Sequence, residues 1–284
     1  MTEEERKAAG KGIRLVVCDM DGTLLDSGKK ISEPAMEAIR LGRRQGIATT
    51  ICSGRLYLML AAYVKRLELD IPFISGNGAA VVDPLKNEVL HCRPLPVEDA
   101  ESLFAFCAAW KLDYCALGPQ GGFFSREGKC IERFINYNKI AFEAGVEETP
   151  LQFFDDGHKN ALEIPIHKVL IYRSNEEEKA RIRKFLSGKK ELAATSSDPL
   201  LVDIMASGVD KGYGLRQLAR LMNIPKEEIC VFGDYLNDTP MFAEAGLAVA
   251  MGNACEEAKA MADFVTESND CDGVAVAFRK YILR

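Results

Sequence analysis

In the segment RLVVCDMDGTLLD (14–26), two carboxylates, Asp19 and Asp21, follow a short run of β-branched and aliphatic residues. Such a run reads as a buried parallel strand that ends where the acids begin. In an extended chain, side chains at i and i+2 point the same way, so both carboxylates face one space while Met20 faces another. That space lies outside the carboxyl end of the strand, where ligands of open α/β sheets bind. Gly22 then permits a tight turn. A second apolar run, EEICVFG (227–233), ends in the same manner on Asp234, Asn237 and Asp238. Two strand ends could thus aim acids at one point. A hard cation such as Mg²⁺ suits that arrangement, because it takes one or two carboxylates and keeps water positions for itself and a phosphate. Ser53-Gly54-Arg55 closes the strand IATTIC and places a hydroxyl and free backbone N–H groups at a helix N-terminus, a ready anion site. Lys211 opens a further helix, where the macrodipole disfavours a cation unless a bound anion compensates.

Each feature has an ordinary structural reading as well. Asp19 and Asp21 could cap a turn, Asp238 could be the N-cap of a helix opening near Thr239 and Pro240, Ser53 could be a helix cap, and Lys211 could be solvated. An EF-hand is excluded, since Leu24 occupies the sixth position that the calcium loop reserves for glycine. No phosphate-binding P-loop, complete G-x-G-x-x-G, G-x-S-x-G or H-E-x-x-H occurs. Cys18, Cys52 and Cys230 lie inside strand patterns and read as core thiols.

The elements that must position these residues alternate in type. A helix opening at Ser32 and Pro34 carries Met36, Ala38, Ile39 and Leu41 and stops at Gly46. Strand 47–52, helix 56–67 and the apolar segment 71–83 follow. The alternation returns with helix 211–222, strand 227–233, a short helix to Ala245, strand 247–252, another helix, strand 263–266 and a last helix from Gly273. This is the pattern of an α/β, doubly wound, Rossmann-like parallel-sheet core formed by residues 1–83 and 206–284. Residues 84–205 read differently: helix 96–110, strands 112–118 and 120–125, helix 129–143, a stretch without clear period, strand 167–173, helix 175–187, and strands 189–195 and 200–205. Helix followed by paired strands, twice, predicts an inserted α+β domain with an antiparallel sheet.

The 284 residues carry 36 Lys and Arg against 42 Asp and Glu, a net charge of −6 with no basic block, which argues against a nucleic-acid partner. Nine cysteines without a Cys-x-x-Cys pair, and three scattered histidines, form no legible zinc site or disulfide framework. The charged start MTEEERKAAGKG has no apolar signal region, and the longest apolar run, Leu56 to Val64, is too short for a bilayer, which needs about 18 residues. The expectation is a cytoplasmic protein with reduced thiols and no membrane partner.

In chain order, DMDGTLL (19–25), SGR (53–55), Lys211 and GDYLND (233–238) resemble the four motifs of the haloacid dehalogenase superfamily of phosphatases. SGNGA (75–79), MGNA (251–254), ADFVT (262–266) and SNDCDGVA (268–275) look like its Cof-type subfamily, whose members place a large α+β cap between the second and third motifs. The chain departs at Ser53, where the family commonly has Thr; the hydroxyl is retained. The resemblance implies Asp19 as nucleophile and Asp21 as general acid and base. It implies Mg²⁺ held by Asp19, the backbone carbonyl of Asp21, and Asp234, with Asp238 in support. Ser53, the Gly54 N–H, Lys211, Asn237 and the Met20 N–H would hold the phosphate. The expected activity is Mg²⁺-dependent hydrolysis of small phosphomonoesters through an aspartyl-phosphate. The rivals are a phosphosugar mutase on the same core and a catalytically silent phosphometabolite-binding regulator, against which the intact Asp19 and Asp21 speak. Phe123, Phe124, Arg126 and Tyr137 of the insert read as packing or surface rather than as substrate selectors.

Overall fold

The computed structural model describes residues 12–196 and 199–283; residues 1–11, on which the signal-peptide reading rests, lie outside the described residues. The chain forms two compact units, Met1–Ser53 with Leu67–Leu90 and Asp210–Arg284, and Gly54–Arg66 with His91–Val209. No described helix is long and apolar enough to cross a membrane.

In the first unit, strands β1 (Leu15–Cys18), β2 (Ala48–Ile51), β12 (Ile229–Gly233), β13 (Leu247–Ala250) and β14 (Phe264–Val265) form a parallel sheet in the order β14-β13-β12-β1-β2. Every residue of β1 has no solvent exposure, because this central strand is covered on both faces, and its LVVC sequence is correspondingly apolar throughout. Leu15, Val17, Val231, Ala248 and Ala250 share one cluster with Leu215 and Leu218 of the helix Lys211–Met222. Phe232 stacks on Phe278 at 5.8 Å between ring centres. The helix Glu33–Arg44 buries Ala35, Met36, Ala38 and Ile39, and Ser32 caps it by accepting from the Ala35 N–H at 3.2 Å, a bond worth about 1 kcal/mol. From β1 the chain proceeds to β2 on one side, whereas β12 leads to β13 and β14 on the other. The order therefore reverses between β1 and β12, and the loops leaving those strands diverge around a crevice.

The apolar segment 71–83 folds as a hairpin. Its two halves, β3 (Phe73–Ser75) and β4 (Ala80–Asp83), pair antiparallel and join β5 (Glu88–Cys92) in a separate three-stranded sheet. Residues Gly76–Gly78, at φ of +61°, +54° and +96°, fold the chain back. One parallel bridge, Cys52 to Ile74, ties β3 to the strand before it.

The second unit holds a six-stranded sheet of β6 (Asp113–Gly118), β7 (Gly121–Phe124), β8 (Leu151–Phe153), β9 (Lys168–Tyr172), β10 (Leu192–Thr195) and β11 (Leu201–Ala206), in the order β10-β11-β9-β6-β7-β8. Four of its pairings are antiparallel, but β8 runs parallel to β7, so the sheet is mixed. β8 comes from the stretch without clear period; at three residues, half-buried to exposed, it is too short to show alternation. Phe123 and Phe124 are buried in this unit, Arg126 is exposed, and Tyr137 is half-buried beneath the Arg55 guanidinium, 4.2 Å from its ring centre.

His167, immediately before β9, is 2% exposed and its Nδ1 has no hydrogen-bond partner. Burial pushes its pKa down from 6.5 to about 4. The unfolded chain therefore binds a proton that the folded chain refuses. The stability this neutral imidazole contributes is complete above pH 6.5 and is lost as the pH falls toward 4, by about 3 kcal/mol. Urea unfolding across this range should show a steeper acid loss in the wild type than in His167→Gln; parallel curves would remove His167 as the cause.

Candidate active site

Asp19 is the first residue beyond β1, and its N–H donates to the Phe232 carbonyl at 2.9 Å, so the β1–β12 ladder extends one rung into the site. β1 ends at Cys18 and the chain then turns, rather than continuing extended through Asp21: the Thr23 and Leu25 N–H groups both donate to the Met20 carbonyl. Gly22 makes this turn at φ +82°, and a Cβ there would lie 2.4 Å from Asp234 Oδ2, so both the backbone angle and the close approach require glycine. Thr23 Oγ1 donates to Asp234 Oδ1 at 2.9 Å. Asp234 follows β12 directly, and Asp238 Oδ2 accepts from the Asp234 and Tyr235 N–H groups at 2.8 and 3.0 Å, folding the GDYLND segment back on itself. Lys211 is 1% exposed and its ammonium donates to Asp19 Oδ1 and Asp238 Oδ1, each at 2.5 Å. Asp210, the N-cap of the same helix, accepts from the Tyr213 N–H at 2.6 Å. The macrodipole's cost to Lys211 is thus met by two carboxylates.

Oxygen atoms of Asp19, Asp234 and Asp238 all lie within 4.8 Å of one another. Burial raises Asp19 well above the carboxylate range, Lys211 opposes the shift, and the charges of Asp238 and Asp234 add to it. Burial and the Asp238 charge push Asp234 up to about 7, with Thr23 working against them. Burial disfavours charge on Lys211, yet Asp19 and Asp238 hold its pKa above the usual lysine value. Three carboxylates face one ammonium, and with positive charge in deficit their ionised forms are disfavoured, as the raised Asp19 and Asp234 show. An all-oxygen donor set with that deficit fits a hard divalent cation.

The other residues singled out in the sequence have partners of their own. Ser53 is buried at the end of the strand segment, with its N–H on the Ile74 carbonyl at 3.0 Å. The Gly54 carbonyl accepts from Lys168 Nζ at 2.5 Å, and Lys168 is paired with the buried Asp203 at 2.6 Å. Asn237 donates through Nδ2 to Asn77 Oδ1 at 3.1 Å. Met20 is fully buried. Asp21 stands nearer solvent, its carboxylate on the Lys29 ammonium at 2.7 Å, and its charge contributes to raising Asp234.

A family model described as haloacid dehalogenase-like hydrolase matches residues 16–278. The chain belongs to that family. Among curated relatives, the 5-amino-6-(5-phospho-D-ribitylamino)uracil phosphatase YcsE of Bacillus subtilis is 28% identical over 95% of this chain and 96% of its own. The putative phosphatase YxeH of the same organism is 31% identical over 95% and 98%. Among solved structures, the sugar phosphatase BT4131, of haloacid dehalogenase subclass IIB, aligns with a TM-score of 0.79 at 25% identity, covering 94% of this chain and 98% of that one. The chain is accordingly a haloacid dehalogenase-like phosphatase.

Several residues of this phosphatase contact the site's loops without having been chosen for chemistry. Asn253 Nδ2 donates to the Gly22 carbonyl at 2.8 Å and its Oδ1 accepts from the Asn269 N–H at 3.0 Å. Asn269 Nδ2 donates to the Leu25 carbonyl at 2.9 Å, and Asp270 takes both the N–H and the hydroxyl of Ser27. MGNA and SNDCDG thus brace the turn that carries Asp19 and Asp21. Their signal in the sequence is the family resemblance; asparagine in a loop carries none of its own.

Proposed function

We propose that the chain is a Mg²⁺-dependent phosphatase that hydrolyses small phosphomonoesters through an aspartyl-phosphate on Asp19. The observation that supports this most is the meeting of Asp19, Asp234, Asp238 and Lys211 at the ends of β1 and β12. Mg²⁺, held by Asp19, Asp234 and the Asp21 carbonyl with Asp238 in support, would neutralise phosphate charge so that an anionic carboxylate can approach. Lys211 supplies a second positive charge and aims the Asp19 carboxylate. Ser53, the Gly54 and Met20 N–H groups and Asn237 hold the phosphoryl oxygens. Asp19 attacks phosphorus in line as the ester oxygen leaves. Asp21 protonates that oxygen and then takes a proton from the water that cleaves the aspartyl-phosphate, so that one hard displacement becomes two easier ones.

Substrates of the class named for the relatives, a phosphorylated ribitylamino-uracil and sugar phosphates, are the first to test. The insert, residues 84–205, is assigned the role of a cap that selects among them. The test is orthophosphate release from a panel of sugar phosphates, nucleotides and cofactor-precursor phosphates. Release should cease with a chelator and return with Mg²⁺. Full release in metal-free buffer would remove the metal from this reading, transfer of phosphate to a second sugar without release would indicate a mutase, and phosphometabolite binding without turnover a regulator.

A further inference from the structure

SGNGA, which entered the sequence reading only as part of a family resemblance, folds as the turn between β3 and β4, and its Asn77 has no solvent exposure. Asn77 holds a left-handed φ of +54°, a conformation that Asn adopts more readily than most residues. Its N–H donates to the Ser53 carbonyl at 2.9 Å, and its Oδ1 accepts from Asn237 Nδ2 at 3.1 Å. The next residue, Gly78, is pressed so closely on the helix start that a Cβ would lie 1.9 Å from the Asp210 carbonyl oxygen. Asn77 therefore bonds to two of the segments assigned to the phosphate and neighbours the third, where Lys211 begins.

One end of this side chain is left over. Asn77 Nδ2 is buried and has no hydrogen-bond partner. A buried amide carries two N–H donors, and leaving both unpaired is costly, so the position calls for an acceptor. Among the elements meeting here, a hydroxyl, an asparagine amide and a lysine all favour an anion. We propose that Asn77 is a phosphate-binding residue, its Nδ2 donating to an oxygen of the phosphoryl group while its Oδ1 fixes the Asn237 amide to donate to the same group. This rests on the phosphatase reading and adds to it a donor contributed by the β3–β4 turn.

Asn77→Asp separates the two ends of the side chain. Aspartate has the same shape, tolerates left-handed φ and still accepts from Asn237, but it puts a negative oxygen where the donor was. Orthophosphate is the probe, with its affinity read as a competitive inhibition constant and as thermal stabilisation of the Mg²⁺-loaded protein. Asn77→Asp should weaken orthophosphate by about tenfold to a hundredfold, the range for a bond to a charged partner. Asn77→Gly, which keeps the backbone angle and deletes both ends, should lose at least as much and serves if the aspartate variant does not fold. Wild-type affinity in either folded variant would overturn the proposal and leave Nδ2 to a buried water. If wild-type protein itself binds no orthophosphate, the phosphatase reading falls and the assignment of Asn77 falls with it.

Discussion

Asp19→Asn is expected to abolish turnover of every phosphomonoester, by at least about 10³-fold, in a protein that remains folded. The amide keeps an oxygen for Lys211, now 2.5 Å from Asp19 Oδ1, but it is no nucleophile. Asp21→Asn should behave differently, because its carboxylate is assigned to proton transfer. A sugar alkoxide leaves badly without a proton, whereas p-nitrophenolate leaves unaided. With p-nitrophenyl phosphate, Asp21→Asn should release one equivalent of nitrophenol in a burst and then turn over slowly, since water must still be activated to clear Asp19. Rapid-quench kinetics and intact-protein mass spectrometry would show a retained phosphoryl group in Asp21→Asn and none in Asp19→Asn. A phosphoryl adduct in Asp19→Asn would move the nucleophile elsewhere.

Asp234→Asn should sever metal dependence and stabilise the metal-free protein at once. Asparagine preserves the acceptor for Thr23 Oγ1, 2.9 Å away, and the clearance from Gly22. It removes a charge that burial and Asp238 oppose, since they raise the Asp234 pKa from 3.8 to about 7. The folded chain thus holds a proton that the unfolded chain releases, so wild-type stability falls as pH rises from about 4 to 7. The gain from Asn should be full above pH 7, where melting rises by several degrees, and absent below pH 4. Mg²⁺ should raise the melting temperature of the wild type and leave the variant unmoved, while phosphatase activity falls by about 10²-fold or more. An unchanged Mg²⁺ response would exclude Asp234 as a ligand.

How much of this the sequence alone reveals differs by residue. Asp19 and Asp234 were legible because each ends an apolar run, and a carboxylate at the end of a buried strand needs a purpose. The parallel sheet was legible for the same reason, in strands such as LVVC that are apolar on both faces. Lys211 stood out only as a cation at an unfavourable helix end; that it grips both Asp19 and Asp238 depends on three segments meeting in space. Period alone could not distinguish one strand from a hairpin in 71–83, because pairing partners leave no mark on a short apolar run. Asn77, Asn253 and Asn269 were hidden for a further reason: their side-chain amides meet groups far away in the chain, and nothing local distinguishes them from turn residues.

The pairing of β1 with both β2 and β12 also governs how the protein emerges from the ribosome. Leu15–Cys18 and Ala48–Ile51 are available to pair early, but the other edge of β1 waits for Ile229–Phe232, about 200 residues later. At about 5–20 residues per second, that wait is on the order of ten seconds or more. Throughout it, one edge of an entirely apolar strand has unpaired N–H and C=O groups and stays open to non-native pairing until Ile229–Phe232 is made. All of the second unit, through Val209, is synthesised within the same interval and can complete its sheet first. The acids that end β1 and β12 are therefore brought together only after the second unit has been synthesised.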